Sequence, residues 1–306
     1  MNIFVTGATG FIGKALIARL IERGDRVTAI SRSAARAKEA LGDKVTIVEG
    51  ELETPGAWSE ALAGCDAVVH LAGEPVAAKR WDARQKQVIR DSRVEGTRML
   101  VEAIGKLAAK PKVLVSASGT DYYPPAHGEY DDDDVTERDA PGEQFLARVC
   151  RDWEKEAIAA EAHGLRVVRL RIGAVLANDG GALERIVPTF KAFVGGSLGS
   201  GKQWFSWIHR DDVLGVILAA LDDGRYTGAY NVVAPQATRY RELAKALGHE
   251  LHRPSFWRVP GFALKIMVGE FAEALLSGRK VVPKALIDQG YKFAHPELAT
   301  ALAASM

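Results

Sequence analysis

Short apolar runs alternate with longer stretches of helical spacing through most of the chain. "NIFVTG" (2–7), "RVTAIS" (26–31), "VTIVEG" (45–50), "DAVVHLAG" (66–73), "KVLVSAS" (112–118) and "LRVVRLRIG" (165–173) read as strands. They are rich in Val and Ile and end in turn residues. "FIGKALIARLIERG" (11–24), "RVEGTRMLVEAIGKLA" (93–108) and "ARVCRDWEKEAIAAEAHG" (147–164) repeat apolar residues every three or four positions, as helices do. Near-continuous apolar strands separated by helices predict a parallel sheet covered on both faces. Short right-handed crossovers make that an α/β, doubly wound fold.

The pattern changes near residue 235, after a last strand in "YNVVAP" (230–235). Residues 239–306 look mostly helical and are broken by Pro254, Pro260, Pro283 and Pro296. The expected organisation is therefore a nucleotide-type domain over 1–235 and a small C-terminal lobe over 236–306. No internal repeat is visible. "DDDD" (131–134) reads as a solvated loop, because adjacent carboxylates without spacing or a His do not describe a metal coordination sphere.

Composition narrows the partners. A net charge of +1 gives no bulk attraction to nucleic acid or to a membrane surface. Two Cys give no disulfide framework and suit a reducing compartment. The start "MNIFVTGATGFIG" lacks the basic opening and apolar run of a signal peptide. The most apolar run, "VLGVILAAL" (213–221), is about half of the ~20 residues a membrane span needs. The expectation is a cytoplasmic protein with a small-molecule substrate and no metal. A homodimer is left open.

The chemistry begins at "TGATGFIG" (6–13), between the first strand and the first helix. In that context the motif is a dinucleotide fingerprint and the sheet is Rossmann-like. Gly7 allows the tight turn, Gly10 the approach of a pyrophosphate, and Gly13 close packing of helix on sheet. Thr6, Thr9, Phe11 and Ile12 complete the loop, whose helix N-terminus attracts phosphate. The second strand ends in Ser31, Arg32 and Ser33 rather than in an acid. Arg32 can pair with a 2'-phosphate, so NADP(H) is the expected cofactor. Glu51 and Leu52 are placed beside the adenine. Leu71, Ala72, Gly73 and Ser116 line the cofactor's passage.

These motifs, with "HLAG" (70–73) and a Ser-bearing fifth strand, resemble the extended short-chain dehydrogenase/reductases, the NAD-dependent epimerase/dehydratase group. "RWDARQKQVIRDSRVEGTRMLVEAI" (80–104), "RIGAVLANDGGAL" (171–183), "GSGKQWFSWIHRDDV" (199–213) and "GEFAEALLSGRKVVPKALIDQGYKF" (269–293) are similar to an atypical branch that carries a C-terminal domain of unknown function. The likeness covers nearly the whole chain.

The resemblance implies a catalytic Tyr and Lys four residues apart on the helix after the fifth strand. Here those positions hold Leu146 and Cys150. The matching substrate-orienting Ser is Ser118. Tyr122, Tyr123 and His209 are the remaining candidates for proton transfer. Each has a structural alternative: Ser118 as a strand-end cap, the tyrosines as cleft walls, and His209 as a helix cap. Lys79, Arg80, Trp81, Lys202, Gln203 and Trp204 lie on loops able to hold an anionic or sugar-like molecule. Two readings of function follow. One is an NADP-dependent oxidoreductase or epimerase with a rearranged proton relay. The other is a non-catalytic nucleotide-sensing protein, favoured by the loss of Tyr and Lys. A third, weaker reading is a docking module built from the C-terminal helices.

Overall fold

The computed structural model describes residues 1–54, 56–126 and 131–306. Seven strands build one sheet: β1 (Asn2–Thr6), β2 (Arg26–Ser31), β3 (Val45–Glu49), β4 (Ala67–His70), β5 (Val113–Gly119), β6 (Arg166–Ile172) and β7 (Gly228–Val232). Their spatial order is β7-β6-β5-β4-β1-β2-β3, and every pairing is parallel. The order reverses between β1 and β4. That switch point opens a crevice at the C-terminal strand ends.

All four residues of β4 are buried, as a strand covered on both faces requires. On one face Leu16, Ile17 and Leu20 of α1 (Phe11–Glu22) join Val213, Val216 and Ile217 of a later helix, Arg210–Asp222. On the other, Leu100 and Ile104 of Ala83–Lys106 pack with Ala157 of Phe145–Ile158. In chain order the helices are α1, α2 (Ala34–Leu41), α3 (Ala83–Lys106), α4 (Phe145–Ile158), α5 (Gly181–Lys191), α6 (Arg210–Asp222), α7 (Tyr240–Glu250), α8 (Gly261–Val268), α9 (Phe271–Leu276), α10 (Lys284–Asp288) and α11 (Leu298–Ala304). α3 starts ten residues before the helical pattern becomes legible, with Asp82 capping Gln85 N at 2.7 Å.

The C-terminal region is helical, but not only helical. Trp257–Val259 adds to Gly196–Leu198, and Lys280–Val281 adds to Asp134–Val135, both in parallel. The apolar stretch 262–276 is two helices and not one. Gly269 breaks it with a φ of +66°, a conformation open to glycine. The Asp run is exposed at Asp132, Asp133 and Asp134, and it is also tied down. Asp131 pairs with Arg279 at 3.2 Å and Asp134 with Lys280 at 2.8 Å, while Asp132 pairs with Arg239. Three of the four successive carboxylates thus fasten the C-terminal region to the sheet domain, through cations more than a hundred residues away.

Candidate functional site

The turn after β1 is shaped by its glycines. Gly7 has a φ of +68°, and a Cβ there would lie 2.7 Å from the Leu71 carbonyl carbon. A Cβ on Gly13 would lie 2.2 Å from the Gly7 oxygen. No larger residue fits either position. Gly10 caps α1 in extended conformation and offers no side-chain acceptor to the first helical N–H groups. Those groups point at the crevice, ready for an anion. Thr9 and Gly10 are exposed, and Phe11 and Ile12 are half-buried. The cradle therefore fits a pyrophosphate.

Beneath it runs a closed relay. Thr97 Oγ1 donates to the Arg93 carbonyl at 2.5 Å, so it accepts from His70 Nε2 at 2.8 Å. His70 Nδ1 is then the bare nitrogen and accepts from Thr6 Oγ1 at 2.7 Å. Thr6 Oγ1 in turn accepts from the N–H groups of Leu71 and Ala72, each at 3.2 Å. Full burial, with Arg93 nearby, holds the His70 pKa down at about 4. A neutral imidazole thus locks the β1 and β4 ends together. Thr6, Leu71 and Ala72 meet beneath the cradle.

At the end of β2, Ser33 caps α2 by accepting from Arg36 N at 3.4 Å, and Ser31 Oγ donates to the Ser33 carbonyl at 3.2 Å. Glu49, opposite Ser31 on β3, accepts from Ala34 N at 2.8 Å. Arg32 is exposed and makes no ion pair among the described residues. Leu52 is buried in the core against Trp58 and Ile30, and Glu51 is exposed beside it.

The positions of the missing pair are plain. Leu146 and Cys150 are buried on the inner face of α4, 7% and 6% exposed. Burial, helped by Asp121, pushes the Cys150 thiol up to about 12. One turn further along the same face is Glu154, 3% exposed. Its carboxylate accepts from Ser118 Oγ at 2.8 Å, from Arg171 Nε at 2.8 Å and Nη2 at 3.0 Å, and from Arg169 Nη1 at 3.0 Å. Arg171 also donates to Tyr123 Oη at 2.8 Å, and Tyr123 donates to Asn231 Oδ1 at 2.6 Å. Burial pushes the Tyr123 phenol up to about 12, with Arg171 pulling against it. Ser118 and Tyr123 thus belong to one buried network with Glu154. Tyr122 is half-buried, its ring stacked under the Arg171 guanidinium at 3.5 Å. Ser116 is buried, and its hydroxyl donates to the Ala117 carbonyl at 3.3 Å.

Two groups in the crevice escaped sequence reasoning. Arg93 of α3 reaches the end of β4, where a Cβ on Gly73 would lie 3.0 Å from its guanidinium carbon. It donates to the Glu74 carbonyl at 2.8 Å and lies 5.2 Å from the Trp153 ring. Burial lowers its pKa, while Cys150, Asp121 and Glu74 pull it back up. Asp121 follows β5. A Cβ on Gly119 would be 3.6 Å from Cys150 Sγ and 3.7 Å from Asp121 Oδ2. Asp121 is open to cleft water. The protein around it still raises its pKa, with Arg93 opposing, and that open side moderates the rise. In the sequence Arg93 resembles any polar residue on a long helix, and its neighbours lie 28 and 57 positions away, so no local spacing marks it.

His209 lies elsewhere. It ends the short strand Trp207–His209 and caps α6 by accepting from Asp211 N at 3.2 Å. Its ring touches His295, with centroids 3.9 Å apart. The crevice rim is aromatic: Trp81 lies 5.3 Å from both Phe145 and Phe271. Lys86 pairs with Glu270 across the same seam. Trp204 sits in the seam between regions, its Nε1 donating to the Asp131 carbonyl at 2.9 Å.

The comparisons agree with this geometry. Residues 3–233 match the model of the NAD dependent epimerase/dehydratase family, and residues 259–305 match a domain of unknown function, DUF1731. The chloroplastic epimerase family protein SDR39U1 homolog of Arabidopsis thaliana is 41% identical over the whole chain and 87% of its own length. The crystal structure of human epimerase family protein SDR39U1 (isoform 2) with NADPH superposes with a TM-score of 0.86 at 33% identity, covering 100% of this chain and 99% of that one. UDP-glucuronic acid 4-epimerase from Bacillus cereus, at 19% identity and a TM-score of 0.78, shares the fold. The chain belongs to the NAD-dependent epimerase/dehydratase family, with the fold of its nicotinamide-dinucleotide-binding members.

Proposed function

We propose that this protein is an NADP(H)-dependent oxidoreductase or epimerase of a small, sugar-like substrate, in which Arg93 and Asp121 stand in for the absent Tyr and Lys. The observation that carries this reading is their position. Arg93 lies beside Gly73, just after β4, and Asp121 beside Gly119, which ends β5, in the crevice where doubly wound folds bind ligands. Bound, a nicotinamide dinucleotide supplies hydride transfer. Arg93 holds the substrate oxygen and stabilises negative charge there. Asp121, more basic than an ordinary carboxyl and open to the cleft, holds the proton that oxygen exchanges. Cys150 is unsuited to that task, because its thiol stays protonated. Arg32 supports the choice of NADP(H), as a cation at the β2 end with no ion pair among the described residues. The relative crystallised with NADPH supports it as well.

The test is a panel of small aldehydes, ketones and nucleotide sugars offered with NADPH. Turnover by the wild type and a loss of about 10²- to 10⁴-fold in Asp121→Asn, with NADPH affinity kept, is the expected result. Undiminished turnover in Asp121→Asn removes Asp121 from the reaction. A second reading, a nucleotide-sensing protein without catalysis, draws on the burial of apolar Leu146 and inert Cys150 at the usual catalytic positions. It gains if no member of the panel reacts while NADPH binds.

A further inference from the structure

Outside the crevice, three potential metal ligands converge from two parts of the chain. His209, Asp211 and His295 each offer a ligand atom, all within 4.8 Å of one another. His209 Nδ1 and His295 Nε2 each lie 3.7 Å from Asp211 Oδ2. Ligand atoms around a tetrahedral zinc ion at its usual bond lengths sit roughly 3.4 Å apart. Small side-chain rotations close that difference, and on binding His209 Nδ1 would give up the Asp211 N–H it accepts.

The placement is built from the backbone up. Asp212, buried at 1% exposure, accepts from Ala294 N at 2.6 Å and from His295 N at 2.9 Å. Tyr291 Oη donates to the Asp212 carbonyl at 3.1 Å. These bonds press the C-terminal segment onto the start of α6 and bring His295 against His209. His209 is buried at 5%, with the His295 ring against it. Asp211 is 41% exposed on its side chain, which leaves a path for the ion and room for a water. The charges facing the cluster are mixed. Arg19 lies 3.7 Å from Asp211 Oδ1 and the α6 N-terminus disfavours a cation, while Asp211 and Asp212 favour one. Arg210 is paired away with Asp179.

We propose that His209, Asp211 and His295 form a site for a divalent cation of the zinc class, which staples the C-terminal segment to the sheet domain. Two imidazoles and one carboxylate with an open fourth position suit zinc over calcium or magnesium, which prefer all-oxygen shells. The site is separate from the proposed chemistry at Arg93 and Asp121 and does not depend on it.

Chelator-treated full-length protein, titrated with Zn²⁺ by calorimetry and with Co²⁺ by visible absorption, tests the proposal. The wild type should bind one equivalent of Zn²⁺ per chain, show four-coordinate Co²⁺ bands, and melt at a higher temperature with Zn²⁺ present. His295→Ala and Asp211→Asn should each bind at least about tenfold more weakly and lose the thermal shift. His249→Gln, at an exposed histidine of α7, should behave as wild type. Melting of the metal-free variants checks that they are folded. No bound equivalent with Zn²⁺ in excess overturns the proposal, and so does equal affinity with an equal thermal shift in His295→Ala.

Discussion

His70 shows how much one buried side chain decides. Both ring nitrogens are bonded, and its folded pKa of about 4 lies below the ordinary 6.5. In the unfolded chain the imidazole takes up a proton below pH 6.5, while in the folded one it stays neutral. Its contribution is fully present above that pH and falls as pH drops toward 4, by about 3 kcal/mol in all. Urea unfolding of wild type and His70→Gln between about pH 7 and pH 4.5 checks this, and the variant should have the shallower slope. Equal slopes would mean that His70 is not the neutral partner of Thr6 and Thr97. Residue chemistry of this kind is only partly legible in sequence. The glycines of "TGATGFIG" declare themselves, because only glycine meets the backbone demands at Gly7 and Gly13. Arg93 and Asp121 do not, because they become neighbours only after α3 and β5 have packed.

At the scale of elements, α4 has exchanged its role. Leu146, Cys150 and Glu154 share one inward face at four-residue spacing. The first two positions no longer offer a proton donor, and the third anchors Arg169 and Arg171 of β6. Arg171 then reaches Tyr123 and the Glu137 carbonyl, and Glu137 itself accepts from Asn231 N on β7 at 2.9 Å. The network joins α4, β6, β7 and the loop after β5. Removing Glu154 leaves a buried guanidinium without its counter-charge. Glu154→Leu should therefore lower stability by about 3–5 kcal/mol in chemical denaturation. A loss below ~1 kcal/mol would show that the network is not what holds α4 on the sheet. Strand and helix order was readable from apolar periodicity, because parallel strands are apolar on both faces. That Arg169 and Arg171, two positions apart in a strand, share one face follows from the strand period and is readable too. Their shared partner was not, since Glu154 lies on a helix whose rotation over the sheet no local pattern records.

The whole molecule is a sheet domain with its C-terminal region folded back over the crevice rim. Trp81, Phe145 and Phe271 meet there, and Gly269 at the α8–α9 break packs against the Arg80 side chain. Acid–base pairs from Asp131, Asp132 and Asp134 bind the same region further round. Among the described residues no helix is long and apolar enough to cross a membrane. This return of the chain was the least legible feature. Short strands such as Trp257–Val259 and Lys280–Val281 have no periodicity of their own and exist because a partner strand is already in place.

The proposed function requires the assembled crevice to be a nicotinamide dinucleotide site that selects the 2'-phosphate through Arg32. Fluorescence titration of wild type and Arg32→Ala with NADPH and with NADH tests that claim most directly. A charge-assisted bidentate pair is worth about 1.5–3 kcal/mol, roughly ten- to a hundredfold. The wild type should prefer NADPH by about that factor, and Arg32→Ala should lose the preference by weakening NADPH alone. An NADPH/NADH affinity ratio that is the same in both proteins would contradict it.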